Sequence, residues 1–271
     1  MTASPATIPT PEELRSYEKL QIIAHEKTHH KVLEILSQFD HRGSLLDIPA
    51  GEGALAWQLS KLGYAVTGGD VDPNFFKVGP LRCVFIDMNR EFPIDSEQFD
   101  FVTCIEGIEH VQDQFHLVRE CGRILKPGGY LVLSTPNILN LASRLKFLLS
   151  GFYSLFASPI NEFSQVPVFD HIHPVTYYQL RYMLHTQGFR ITKVATDLWR
   201  RSAAGLYALK PLVRLYTIRT MRKERDVDQC LANSDIRRVM TSADILLGRT
   251  LIIVARKTGG NAIRIIQASE V

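Results

Sequence analysis

Residues 45–53 read Leu-Leu-Asp-Ile-Pro-Ala-Gly-Glu-Gly, and seventeen residues after Gly53 a second acid, Asp70, ends the run Tyr64-Ala-Val-Thr-Gly-Gly-Asp70. An apolar run that stops in a turn of small residues is a strand meeting a helix. Gly51 and Gly53 let the backbone come close to a ligand where a Cβ would clash. A neighbouring strand that ends in a carboxylate can accept hydrogen bonds from ribose hydroxyls in a doubly wound sheet. The pair of strands therefore predicts a nucleoside site.

A dinucleotide site would show Gly-x-Gly-x-x-Gly with a pyrophosphate over the helix N-terminus. Here Asp47 precedes the glycines, and an acid there repels pyrophosphate and suits a cationic amino group. S-adenosylmethionine carries such an ammonium beside its sulfonium, ribose and adenine. The segment is similar to the first motif of the class I S-adenosylmethionine-dependent methyltransferases, roughly Asp-x-Gly-x-Gly-x-Gly. Pro49 departs from that pattern, standing where the family usually has its first glycine. It removes one backbone donor, so it takes no binding role. Later segments resemble the family's later motifs in the same order: Phe99-Asp-Phe-Val, Ile108-Glu-His-Val, and the run from Arg123 to Asn137. The resemblance covers residues 44–136 and 170–257.

The resemblance implies a cofactor role for Asp47, Ala50, Gly51 and Gly53 at the methionine moiety. Asp70 and Val71 fall to the ribose, Asp87 and Met88 to the adenine, and Ile105 to the floor beneath the methionine tail. Plainer readings stand beside these: Asp47 caps the following turn, and Asp70 and Asp87 are solvated loop acids.

Glu106-Gly-Ile-Glu109-His110 is the second signal. If a helix begins there, Glu106, Glu109 and His110 fall within one turn. Two carboxylates and an imidazole can hold a divalent cation. The spacing resembles the magnesium site of ubiquinone-pathway O-methyltransferases and of small-RNA 2′-O-methyltransferases, which implies Mg2+ here. His171 or His173 would add a ligand. Against this, a Glu-His pair often packs beside such a pocket with no metal. For a hydroxyl acceptor a base must also take a proton, and His110, Glu106 and His173 are the candidates, with Asp170 and His171 behind them.

The chain has 271 residues, 45% hydrophobic, and a net charge of +3. That length supports one sizeable core, and so mild a charge gives no sign of nucleic acid as a partner. Four scattered cysteines lack metal-ligand spacing and read as reduced, mostly buried thiols of a cytoplasmic protein. The N-terminus has no secretory pattern, and the apolar stretch 145–160 is interrupted and too short to span a bilayer.

Strands alternating with helices predict an α/β fold: a doubly wound, mainly parallel seven-stranded sheet with an antiparallel last strand, the Rossmann-like methyltransferase fold. Strands are expected at 44–48, 65–69, 82–86, 99–105, 130–134, 189–196 and 250–256, and helices at 54–62, 112–125 and 176–187. The domain runs over 11–257, between a disordered tail at 1–10 and a second tail at 258–271. Insertions at 137–169 and 197–248 leave the carboxyl edge of the sheet and should wall an acceptor pocket. Residues 199–223 hold seven Lys or Arg, no acid, and Trp199, Tyr207, Leu212, Leu215 and Tyr216. Basic and apolar together suit peripheral contact with an anionic membrane or a lipid-phosphate acceptor. A lid with one wet basic face is the plainer account.

Ser134-Thr-Pro-Asn137 with His171-x-His173-Pro174 also looks like methyltransferases of cell-surface polysaccharide pathways. The resemblance thus implies O-methylation of a small molecule, sugar or lipid-linked glycan. Two alternatives remain open: metal-assisted O-methylation of a quinone precursor or RNA ribose, and a catalytically silent partner subunit that only binds the cofactor.

Overall fold

The computed structural model describes Tyr17, residues 19–156, Phe163 and residues 171–258. The tail expected at 1–10, residues 259–271, most of 157–169 and Asp170 lie outside the described residues. The chain order is α1 (Glu26–Ser37), β1 (Ser44–Ile48), α2 (Ala54–Lys61), β2 (Ala65–Asp70), β3 (Arg82–Phe85), β4 (Phe99–Ile105), α3 (Gln114–Ile124) and β5 (Leu125–Pro136). It continues with α4 (Leu141–Ser150), α5 (Tyr177–Thr186), β6 (Phe189–Ala195), α6 (Arg201–Ala204), α7 (Lys210–Met221), α8 (Val227–Met240), α9 (Ala243–Leu247) and β7 (Thr250–Lys257).

The seven strands form one sheet in the order β3-β2-β1-β4-β5-β7-β6. β7 is antiparallel to both of its neighbours, and the pairs among β1 to β5 are parallel. β5 begins five residues before its expected start. Leu125 pairs with Phe99, and a register shift before Phe101 absorbs the Lys126-Pro-Gly-Gly turn as an irregularity in the strand.

Alternation along the central strands builds two cores. Leu46, Ile48, Val102, Cys104, Leu131 and Leu133 face one way, with Leu117 and Val118 of α3 and Tyr177 and Leu180 of α5. Leu45, Phe101, Ile105 and Val132 face the other, with Val32, Ile35 and Leu36 of α1 and Leu55 and Leu59 of α2. Each such side chain contributes about 1.5–3 kcal/mol when fully buried. With both faces covered, the strand ends are the edge left to a ligand, and the order reverses there between β1 and β4. A third, smaller cluster joins Leu141 of α4, Ala203 of α6 and Leu246 and Leu247 of α9, with Val213 of α7 against it. Both insertions thus share one satellite core.

All four cysteines are free thiols. Cys104 and Cys121 are buried as expected, and Cys83 is half-buried. Cys230 is exposed, because α8 turns that position to solvent.

Candidate active site

Every strand end named above delivers a polar side chain to one edge. Asp47 closes β1, Asp70 closes β2, Asp87 follows β3, Glu106 follows β4, and Ser134–Asn137 end β5. Asp197 follows β6, and Arg249 precedes the antiparallel β7, so both reach the same edge.

Asp47 is buried and accepts a hydrogen bond from Thr103 Oγ1 at 2.7 Å. It lies on the α1/α2 side of the sheet, where the backbone of Ala56 also reaches it. Burial, with a smaller contribution from the nearby Asp70 charge, pushes its carboxyl up to about 7. Such a group gains from a cationic partner. Asp70 accepts from the Gly51 N–H at 2.8 Å and the Asp72 N–H at 3.1 Å. The glycine turn and the second acid are therefore neighbours. Ala50 is tied to β2 through its N–H and the Gly69 carbonyl. Gly53 has φ of 92°, and a Cβ there would stand 2.7 Å from the Phe76 ring, so both backbone and space require glycine. Glu52 is held by Lys77 and by the Gln21 N–H.

Past the end of β3, Asp87 accepts from the Asn89 N–H and pairs with Arg90 at 3.1 Å. Met88 reaches towards Gly107: a Cβ at that glycine would meet Pro49 Cδ at 2.7 Å, Cys104 Sγ at 3.0 Å and Met88 Cε at 3.6 Å. Gly107 lets β1, β3 and β4 converge, and this is why no bulky residue stands between the two acids. Val71 is exposed beside Asp70, whereas Ile105 turns into the α1/α2 core.

The predicted helical turn from Glu106 to His110 is corrected. Glu106 takes φ of 52°, a left-handed conformation that turns the chain sharply out of β4. Only a 3-10 turn, Ile108–His110, follows. The spacing that would align Glu106 with Glu109 and His110 therefore does not apply. The grouping that could hold a cation is Glu109, His110 and His171, whose ligand atoms all lie within 4.8 Å of one another. His171 replaces Glu106 in the predicted set.

Glu109 is fully buried, and neither of its carboxylate oxygens has a hydrogen-bond partner among the described residues. His171 Nε2 stands 3.9 Å from it. Burial first, and the Glu106 charge second, hold the Glu109 carboxyl well above the usual carboxylate range. An orphaned buried carboxylate facing two imidazoles fits a divalent cation. With two nitrogen donors to one carboxylate, the set suits zinc, manganese or iron(II) better than Mg2+, which favours oxygen.

Glu106 faces a different neighbourhood. Its N–H donates to Ser134 Oγ at 3.0 Å, and Ser134 Oγ lies 3.4 Å from its carboxylate. Burial pushes Glu106 up to about 7, against the opposing pull of Arg249. That value matches a general base working near neutral pH.

His173 binds the Val111 carbonyl through Nδ1 at 2.7 Å. The N–H groups of Ile172 and His173 both donate to the Glu109 carbonyl, and Gln114 bridges the carbonyls of Ile108 and His173. His173 thus staples its segment to the 3-10 turn, while His171 reaches the cluster. It does not cap α5, because Thr176 and Gln179 form a capping box there. Asn137, buried, donates to the carbonyls of Ile245 and Gly248, both at 2.9 Å.

Two features at this edge are assembled from residues far apart in sequence, and of these only the basic run from Trp199 stood out in the sequence. Asp197 is buried against Arg249 at 2.7 Å and accepts from Thr28 Oγ1 at 3.1 Å. Beside them an open pocket of about 500 Å3 is lined by His25, Lys27, Leu155, Trp199, Arg200, Arg201 and Arg249, among others. A larger cavity of about 1190 Å3 lies along the outer strand β6, between α5 and α8, and includes none of the motif residues.

This sheet order, with a carboxylate on each side of a glycine turn at its switch point, is that of the class I S-adenosylmethionine-dependent methyltransferases. The chain belongs to the methyltransferase domain family, whose sequence pattern matches residues 20–194. A ubiquinone biosynthesis O-methyltransferase of Xanthomonas oryzae pv. oryzae is 37% identical over 102 residues, 34% of this chain and 43% of that protein. The chain thus spans less than half the length of the curated relatives it matches. Among solved structures, an S-adenosylmethionine-dependent methyltransferase from Archaeoglobus fulgidus superposes with a TM-score of 0.55 at 20% identity, covering 86% of this chain and 94% of the other. Phosphoethanolamine N-methyltransferase 2 of Haemonchus contortus, solved with S-adenosyl-L-methionine, gives 0.53 at 17% identity, covering 91% and 56%. At those identities the likeness is one of fold.

Proposed function

We propose that this protein transfers a methyl group from S-adenosylmethionine to a hydroxyl of a small-molecule, sugar or lipid-linked glycan acceptor. The observation that carries the hydroxyl is the buried carboxylate of Glu109, without a hydrogen bond and beside His110 and His171, next to a Glu106 poised to accept a proton near neutral pH. A hydroxyl must lose its proton to attack the sulfonium, and a carboxylate poised near neutral pH beside a possible cation site is suited to take it.

The cofactor supplies an already activated methyl on a sulfonium. Asp47 pairs with its ammonium, Asp70 receives the ribose hydroxyls, Gly51 and Gly53 admit the methionine backbone, and Met88 and Asp87 flank the base. Glu109, His110 and His171 would hold a divalent cation, which lowers the pKa of a bound hydroxyl. Glu106 takes the proton. Positioning and exclusion of water supply the rest of the rate.

A second reading, a quinone precursor as acceptor, draws support from the printed name of the curated relatives. Both readings share one test. Transfer of labelled methyl is assayed against catechols and against sugar acceptors, before and after chelation. Chelation should lower turnover at least tenfold, with manganese restoring it better than magnesium, and Glu109→Gln should abolish the chelator effect. Turnover indifferent to chelation sinks the cation. Cofactor binding with no turnover on either acceptor class points instead to a silent partner subunit.

A further inference from the structure

The cationic pocket beside the Glu109 cluster is lined by none of the residues assigned to the cofactor. Lys27 lies in the first turn of α1, Arg200 and Arg201 open the second insertion, and Arg249 precedes β7. These elements are far apart in sequence and meet only through the fold. Among the described residues, Lys27, Arg200 and Arg201 form no salt bridge, and the buried Nη1 of Arg200 has no hydrogen-bond partner. Arg249 is different, because Asp197 Oδ2 takes its Nη1 at 2.7 Å. Asp197 is itself saturated, with the N–H groups of Leu198 and Thr250 and the hydroxyl of Thr28 also donating to it. The lining thus holds four cations and no acid, with Asp197 committed to Arg249 and Asp244 held behind Trp199, and the pocket keeps a positive excess. A buried guanidinium nitrogen without an acceptor is costly unless a ligand supplies one.

The pocket also touches the reaction site. Leu155 lines it, and the Leu155 carbonyl binds Nδ1 of His171 at 2.7 Å. Arg249 lies close enough for its charge to act on Glu106. A group seated in the pocket would hold the rest of its molecule across Glu106 and His171. Trp199 adds an aromatic wall, fixed through its Nε1 to Asp244 Oδ1 at 3.2 Å.

We infer that this pocket binds a phosphoryl group carried by the methyl acceptor, with Arg200, Arg201 and Lys27 as its ligands. This rests on the reading of the neighbouring edge as a methyl-transfer site, and it narrows the acceptor to a phosphate or diphosphate ester. Planar guanidinium forks match phosphate oxygens two at a time, and three unneutralised cations suit a dianion better than a single carboxylate. The phosphate does no chemistry. It fixes the register of the hydroxyl before Glu106, so Arg200 is a positioning residue.

The pocket can be tested without turnover. Inorganic pyrophosphate is titrated calorimetrically into the full chain, alone and with S-adenosylmethionine present. Saturable binding that weakens at least tenfold in Arg200→Gln, and again in Lys27→Gln, is the expected result, with unfolding midpoints unchanged. Lys27 is exposed, so its variant keeps the test meaningful if Arg200→Gln fails to fold. Absence of binding, or binding unaffected by either substitution, overturns the proposal. Two further arms separate the carriers: glucose 1-phosphate in solution, and a polyprenyl phosphate in neutral phosphatidylcholine nanodiscs. Tighter retention in either arm, lost in Arg200→Gln, identifies the source. In the methylation assay the same variants should raise KM for a phosphorylated acceptor and leave kcat within about twofold. Pyrophosphate binding without any methyl transfer would leave the pocket standing and remove the reaction assigned to its neighbour.

Discussion

At the scale of single residues, the site is a set of carboxylates that the fold holds in unfavourable charge states. Asp47 and Glu106 are each pushed up to about 7 by burial, and burial also holds Glu109 well above the usual carboxylate range. A carboxyl raised in the folded state makes the unliganded protein less stable as pH climbs from its unfolded value near 4 towards 7. Ligands that supply positive charge should reverse that loss. For Asp47 this gives a sharp expectation. Its carboxylate must be ionised to pair with the cofactor's ammonium, so binding should tighten as pH rises from 5 to 7 and release a proton below pH 7. Asp47→Asn should weaken S-adenosylmethionine binding roughly 10- to 100-fold, about 1.4–2.8 kcal/mol, and flatten that pH dependence. Calorimetry in buffers of different ionisation enthalpy reads both effects. Glu106→Gln is the control: if it flattens the profile and Asp47→Asn does not, the ammonium belongs to the other acid.

At the scale of elements, the strands were legible because a buried parallel sheet writes itself as short apolar runs between turn residues. The run at 44–48 and the run at 99–105 are the observed β1 and β4 to the residue. β5 was read short, since Pro127 and the two following glycines look like a turn and become a strand irregularity only through pairing with Phe99. The same limit governs the site. Asp47, Gly51, Gly53 and Asp70 lie within 24 residues and form a readable motif. His171 joins Glu109 and His110 from 62 and 61 residues away, through hydrogen bonds that no local pattern announces. Arg249 and Asp197 meet only because the last strand runs antiparallel. Asn137 is a further case: its motif position suggested the acceptor side, yet its side chain ties the end of β5 to the turn before β7. Asn137→Ala would leave two buried carbonyls and the Leu139 N–H without their partner, and should lower the unfolding free energy by roughly 2–4 kcal/mol in urea titration. A loss below about 0.5 kcal/mol would mean that water replaces the amide.

At the scale of the whole molecule, charge is segregated. Of 31 Lys and Arg residues, nine lie in 137–156 and 199–223, where there is no acid, leaving 22 against 28 Asp and Glu elsewhere. The mild net charge therefore hides a strongly basic cap on an acidic body. The same cap leaves apolar side chains in water: Leu148 and Leu149 of α4 are 79% and 77% exposed, and α7 exposes Leu212, Leu215 and Tyr216 while burying none of its residues. Among the described residues no helix is long and apolar enough to cross a membrane. Exposed leucines among arginines suit the surface of an anionic bilayer, the basic groups meeting headgroups and the leucines entering below them. The protein is expected to float with phosphatidylcholine vesicles containing about 30% phosphatidylglycerol, and to stay behind with neutral ones. Each basic group near such a surface contributes about 1 kcal/mol, so reversing two of them, Arg214→Glu with Arg219→Glu, should weaken partitioning roughly 30-fold or more. Leu212→Ser with Leu215→Ser should weaken it without changing its salt dependence, which separates insertion from simple attraction. Equal binding to neutral and anionic vesicles, or none to either, would return the cap to the plainer role of a lid. The two substitution pairs avoid Lys27, Arg200 and Arg201, so loss of vesicle binding with pyrophosphate affinity intact would mark the membrane face and the phosphate pocket as separate surfaces of one cap.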